Sequence, residues 1–214
     1  MKSIQRTIRM LAAAVALAAG TLVPQAYAAP IVSVTPATQT IGVGGNAIVD
    51  IIVSGLIQPA DAVGGFSLTL GFNGTVVSGA SFLNDPGVKM GASPLDLSLG
   101  FIGSSLDLFF VADLSATQMT LAASQGAGFT LARVSFTGLA NGLSALILSN
   151  VVLSNWNGSA TLAGVTTQNG EICVANAAAE QRCANNVPEP TTLGLLGLGL
   201  AAVGFARKRK AATA

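Results

Sequence analysis

Six aspartates, Asp50, Asp61, Asp85, Asp96, Asp107 and Asp113, are the residues of this sequence with most capacity for chemistry. Two carboxylates held at a defined separation would make a glycosidase. No motif holds any two of these six together, so the reading is that catalysis is absent. Asp85, Asp96, Asp107 and Asp113 could offer loop oxygens to calcium, but their spacing follows no EF-hand or repeat pattern. The chain has no histidine. That removes Ser-His-Asp and Cys-His catalysis and the usual zinc sites. Its two cysteines, Cys173 and Cys183, read as a disulfide if the chain is exported to an oxidising compartment. Closing a loop of about ten residues would stabilise by about 2–3 kcal/mol in the chain-entropy description. Trp156 is the only tryptophan, flanked by Asn155 and Asn157. Exposed, it would stack on a sugar ring; at a strand end it would plug a core, and the second is expected. Asn73-Gly74-Thr75 and Asn157-Gly158-Ser159 match a glycosylation sequon but read as plain turns.

The ends of the chain say where this chemistry would operate. Lys2, Arg6 and Arg9 precede an apolar run from Met10 to Ala19, and Ala26-Tyr27-Ala28 fits a small-x-small cleavage site. A signal peptide over 1–28, cut between Ala28 and Ala29, is expected. At the other end stand Pro188-Glu189-Pro190, an uncharged stretch from Thr191 to Ala206, and Arg207-Lys208-Arg209-Lys210. Sixteen helical residues rise about 24 Å, somewhat less than a bilayer core of about 30 Å, and snorkelling basic side chains close the gap. A single transmembrane helix with its basic cluster on the cytoplasmic side follows.

These three parts in this order resemble the PEP-CTERM sorting signal. The resemblance covers about the last 27 residues. It implies processing by an exosortase, an intramembrane cysteine-dependent transpeptidase of Gram-negative bacteria. The precursor would be anchored transiently in the inner membrane, cut by signal peptidase, and released to the cell surface or an extracellular matrix.

Between the two ends lie three cations, Lys89, Arg133 and Arg182, against eight acids, a net charge of −5. That argues against nucleic acid or anionic lipid as partner. The same region alternates short apolar runs with turn signals. Phe66, Leu68, Leu70 and Phe72 alternate with Ser67, Thr69 and Gly71, the period of a half-buried strand. Ala47, Val49, Ile51 and Val53 share one face, as do Ala132, Val134 and Phe136. Asn73-Gly74, Asn84-Asp85-Pro86-Gly87 and Asn141-Gly142 are turns. The segment 88–98 reads as a long loop or edge. Ser115 to Gln118 match a capping box, with Leu114 and Met119 as a hydrophobic staple, and a short helix from Ala116 to Ser124 is expected to stop at Gly126. About eight or nine strands in an antiparallel β-sandwich, residues 29–176, are expected, followed by a linker over 177–187, the sorting signal over 188–210 and a tail over 211–214.

Ile31-Val32-Ser33-Val34, Val49-Asp50-Ile51-Ile52-Val53-Ser54-Gly55, Gly64-Gly65-Phe66-Ser67-Leu68 and Phe129 to Phe136 resemble strands of a cohesin domain. The resemblance implies a jelly-roll related to carbohydrate-binding modules, in a family known for binding dockerins. Leu70-Gly71-Phe72-Asn73-Gly74 lacks the Tyr-Asp/Asn-Pro ending common in that family, so no dockerin surface is carried over. The functional expectation is a non-catalytic, surface-directed binding or matrix protein. A carbohydrate-binding accessory module or glycan-active enzyme, and a structural matrix subunit, are the alternatives.

Overall fold

The structure, a computed structural model, describes residues 29–176. Twelve strands and one helix occupy them. The strands are β1 (Ile31–Thr35), β2 (Thr38–Ile41), β3 (Asn46–Ser54), β4 (Val63–Gly71), β5 (Val77–Asn84), β6 (Leu95–Asp96), β7 (Gly100–Ile102), β8 (Ser105–Val111), β9 (Gly128–Gly138), β10 (Gly142–Asn155), β11 (Thr166–Gln168) and β12 (Gly170–Val174). Helix α1 (Gln118–Gln125) follows β8. One sheet has five strands in the order β11-β1-β3-β9-β5. The other has seven, in the order β2-β12-β10-β4-β8-β6, with β7 also paired to β8.

The alternating apolar residues explain why the two sheets face each other. Ala47, Val49, Ile51 and Val53 of β3, Phe66, Leu68 and Leu70 of β4, Leu106, Leu108 and Phe110 of β8, and Val134 and Phe136 of β9 are all buried in one core. Each strand carries polar or exposed residues in the opposite phase, so both sheets have an outer face. At one open side, Phe72, Phe82, Phe101 and Phe136 close the sandwich as edge-to-face pairs with centroids 5.2–6.3 Å apart. Phe101 needs Gly79 opposite it, because a side chain there would overlap the ring.

Three expectations change. The pairing is antiparallel through the centre of both sheets, but β1–β11 and β2–β12 pair in parallel at the edges. There are twelve strands because β2, β6, β7 and β11 were not expected as strands. Thr166, Thr167 and Gln168 are all exposed, and in β2 exposed Thr38 and Thr40 alternate with half-buried Gln39 and Ile41. Their pairing comes from backbone hydrogen bonds at a sheet edge, which leaves no apolar period to read. The helix cap lies two residues further on than expected. Thr117 is the N-cap, and it exchanges hydrogen bonds with Thr120. Ser115 is not available, since its backbone N–H and its hydroxyl both donate to Asp113 Oδ1. Leu114 and Met119 form no staple; they are 87% and 67% exposed. Gly126 does end the helix, with φ +57°.

Candidate functional site

Strands β4, β8 and β10 lie side by side, and their outer faces form a surface. In this sheet Val111, Gly65 and Ser154 stand in one row, and Phe109, Ser67 and Val152 in the next. Edge strand β6 extends the rows: Leu95 pairs with Val111, and the Leu97 N–H donates to the Phe109 carbonyl. Leu95, Leu97, Phe109 and Val152 are each more than two-fifths exposed. The result is an apolar band on a solvent-facing sheet.

A groove of about 420 Å³ runs along the end of this band. Gly64, Gly65 and Ser67 of β4, Phe109 and Val111 of β8, and Trp156 and Asn157 just beyond β10 line it. Gly64 is required by close approach, since a Cβ there would overlap the carbonyl oxygens of Asn155 and Trp156. A Cβ on Gly65 would meet Ser154 Oγ at 2.9 Å and the Phe110 carbonyl at 3.2 Å. The start of β4 is fixed from below by Gln125 of α1, which is fully buried. Gln125 Oε1 accepts from the Val63 N–H at 2.8 Å, and Nε2 donates to the Val63 carbonyl at 2.7 Å. This side chain supplies the hydrogen bonds a neighbouring strand would otherwise give.

Trp156 does not plug the core. It is 39% exposed and lines the groove, because β10 continues to Asn155 and the following turn lies outside the sandwich. That turn is held by Asn155, whose Oδ1 accepts from the Ala160 N–H, and by Asn157, whose Oδ1 accepts from the Ser159 N–H.

The six aspartates are spent on separate structural tasks. Asp50 pairs with Arg133 through two hydrogen bonds of 2.7 and 2.9 Å on the outer face of the five-stranded sheet. Asp61 accepts from the Ile57 N–H. Asp85 is buried and accepts from the Lys89 and Met90 N–H groups, folding the loop after β5 around the fully buried Met90. Burial pushes the Asp85 carboxyl up, and those two hydrogen bonds only partly offset it. At Asp96, partial burial works the same way, but hydrogen bonds from Ser98 and Asn84 outweigh it and hold the carboxyl below the usual range. Asp113 is held low by the Ser115 hydroxyl and by backbone N–H groups. Asp107 stands on β8 opposite Thr69. Among the described residues no group of three or more acidic, cysteine or histidine side chains could hold a metal. Cys173 is buried on β12, while Cys183 lies outside the described residues. So do the signal segment, the expected transmembrane helix, Pro188-Glu189-Pro190 and the Arg207–Lys210 cluster. No helix among the described residues is long and apolar enough to cross a membrane.

Two further signals in the sequence point at this surface. Phe109 is apolar but out of phase with Leu106, Leu108 and Phe110, so it must face outward if they face in. Leu95-Asp96-Leu97-Ser98-Leu99 alternates with its leucines outward, since Asp96 and Ser98 are tied to Asn84.

Residues 186–210 match the PEP-CTERM protein-sorting motif. The fold is that of a cohesin domain. A type II cohesin from the cellulosome of Acetivibrio cellulolyticus superposes with a TM-score of 0.55 at 15% identity, covering 68% of this chain and 95% of that one. A non-cellulosomal cohesin from the archaeon Archaeoglobus fulgidus gives 0.52 at 16% identity, covering 74% and 100%. The sixth cohesin of Acetivibrio cellulolyticus scaffoldin B, solved in complex with a Cel5 dockerin, gives 0.52 at 12% identity, covering 69% and 100%. No curated protein matches the sequence.

Proposed function

We propose that this chain is an exported, non-catalytic binding module, sorted to the cell surface by an exosortase, whose recognition surface is the outer face of the seven-stranded sheet. Signal peptidase cuts after Ala28. The Pro188-Glu189-Pro190 motif, the helix after it and the Arg207–Lys210 cluster hold the precursor in the inner membrane until the tail is removed. Residues 29–176 are the functional domain, and Cys173 pairs with Cys183 to tie the last strand to the linker over 177–187.

The observation that carries the binding role is the exposed apolar band of Leu95, Leu97, Phe109 and Val152, continuous with the Trp156 groove. An apolar surface rimmed by polar residues marks an interaction site. Its placement agrees with membrane tethering. Strand β10 runs from Gly142, which pairs with Val174, to Asn155, which pairs with Val63. Fourteen strand residues span roughly 40 Å. The Asn176 N–H donates to Asn141 Oδ1, so the chain leaves for its tail at one end of β10 and the groove lies at the other. A partner can reach the groove without meeting the membrane that holds the tail. The cohesin solved with its dockerin is one precedent for recognition on this fold.

The test compares two charged substitutions in the native host. Phe109→Asp should release the processed protein from the surface into the medium, while Ile48→Asp, on the outer face of the other sheet, should not. Equal retention of both variants would remove the proposed surface.

A further inference from the structure

Resting on that reading of the outer face, we propose that the groove between Trp156 and Phe109 binds a neutral glycan chain. Three features argue for a hydroxyl-rich, uncharged ligand. The first is a pair of exposed aromatics lining one groove: Trp156, 39% exposed, just beyond the end of β10, and Phe109, 44% exposed, on β8, with β4 between those two strands. A flat ring with apolar C–H faces can lie there and stack.

The second is the hydrogen-bonding inventory. The Ser67 hydroxyl and the Asn157 Nδ2 both line the groove, and among the described residues neither has a protein partner. Asn157 spends only its Oδ1, on Ser159. Meanwhile the β4 backbone is already paired on both sides, with β8 and β10. An extended peptide added as a strand would find no free backbone edge here. A ligand must reach side chains with its own donors and acceptors, as sugar hydroxyls do.

The third is charge. Among the described residues the only cations are Lys89 and Arg133; neither lines the groove, and Arg133 is bound to Asp50 on the opposite sheet. Asp113 stands on the groove rim. An acidic polysaccharide would meet repulsion without compensation. The volume, about 420 Å³, is in the range of small-ligand sites.

Trp156 is the only tryptophan in the chain, so its emission reports on the groove directly. The full chain, processed by signal peptidase and extracted in a detergent without a sugar headgroup, is titrated with neutral glucans, mannans, xylans and galactans, and with alginate as an acidic comparison. The expected result is a blue shift and reduced acrylamide quenching with at least one neutral glycan and none with alginate. Affinity electrophoresis in the same polysaccharide should show retardation about tenfold weaker for Trp156→Ala. Trp156→Phe should keep most of it, and Asn157→Ala should weaken it while leaving the melting transition intact. No response to any neutral glycan, or equal retardation of the Trp156→Ala chain, overturns the proposal. A protein from the native host that shifts Trp156 emission, with the shift lost in Phe109→Asp, would overturn the glycan and leave the recognition surface standing. An unchanged emission in both arms would overturn both.

Discussion

Replacing Gln125 with leucine should be among the most damaging single changes in the domain, although Gln125 lies outside the apolar core. Its side chain is 2% exposed, and its two hydrogen bonds satisfy both backbone groups of Val63. Leucine has a similar volume, so packing is roughly conserved and the loss is polar. Each buried backbone group left without a partner costs about 1–3 kcal/mol. With both exposed to that penalty, and some relief from entering water, the expected loss is about 2–5 kcal/mol. For a domain of this size a kcal/mol shifts Tm by about 2–4 °C, which gives a fall of about 5–15 °C. Thermal unfolding by circular dichroism measures it. Gln125→Glu tests the mechanism. Its carboxylate can accept from the Val63 N–H but faces the Val63 carbonyl without a donor, so its folded pKa must rise. Stability lost to this substitution should therefore be partly restored at acid pH, where the protonated carboxyl donates again, and lost as pH rises through the folded value. A Gln125→Leu chain melting within about 1 °C of the parent would refute the reasoning.

Other predictions follow from separate parts of the structure. Phe101→Ala should cost about 2–3 kcal/mol by opening the Phe72-Phe82-Phe136 cluster, measured by urea unfolding, whereas Arg133→Met should leave the urea midpoint nearly unchanged because the pair with Asp50 is at the surface. Intact-mass measurement with and without reductant should show the two-proton difference of a Cys173–Cys183 disulfide; alkylation of both thiols without reductant would exclude it. Asp85 has a raised folded pKa, so its ionisation costs stability: the stability lead of the parent over Asp85→Asn should grow as pH falls toward 3.8. Asp113, with a lowered folded pKa, stabilises above the usual carboxylate range and should show the opposite trend when replaced by Asn. Glu189→Ala should leave full-length precursor in the inner membrane of a host with the sorting enzyme, read by immunoblot of membrane fractions.

The parts of the fold legible in the sequence are those where burial writes a period into the residues. Strand β4 alternates because the core takes every second side chain, and β3 and β9 do so for the same reason. Strand β10 keeps its alternation on both sides of an interruption: the register with β4 shifts between Ser149 and Val152, where Asn150 has φ +51°. Strands β2 and β11 were illegible because nothing at a sheet edge demands apolar side chains, only free backbone groups. The helix cap was misplaced because two overlapping motifs compete. Ser115 and Thr117 both precede a suitable residue by three, and only the tertiary position of Asp113 decides that Ser115 is spent elsewhere.

The candidate site was legible in a different way, through residues that break the rule by which the fold is read. Phe109 is an apolar side chain at a polar phase, and so are Val152 and Ile147 on β10. In a strand pattern such residues look like noise, because one aromatic run such as Leu108-Phe109-Phe110 satisfies either phase. Only the pairing of Phe109 with Ser67, and of Ser67 with Val152, shows that these two fall in one row, with Ile147 further along the sheet opposite Gly71. The same pairing explains Trp156. Its position after Asn155 looked like a strand end that must plug the core, but the core at that end is already closed by Phe66, Phe110 and Leu153. The tryptophan is left over, where Gly64 and Gly65 let the end of β10 and the following turn pack closely against β4. A tryptophan costly to expose, lining a groove continuous with the outward row of Phe109 and Val152, is the physical basis for placing recognition at this end of the sheet.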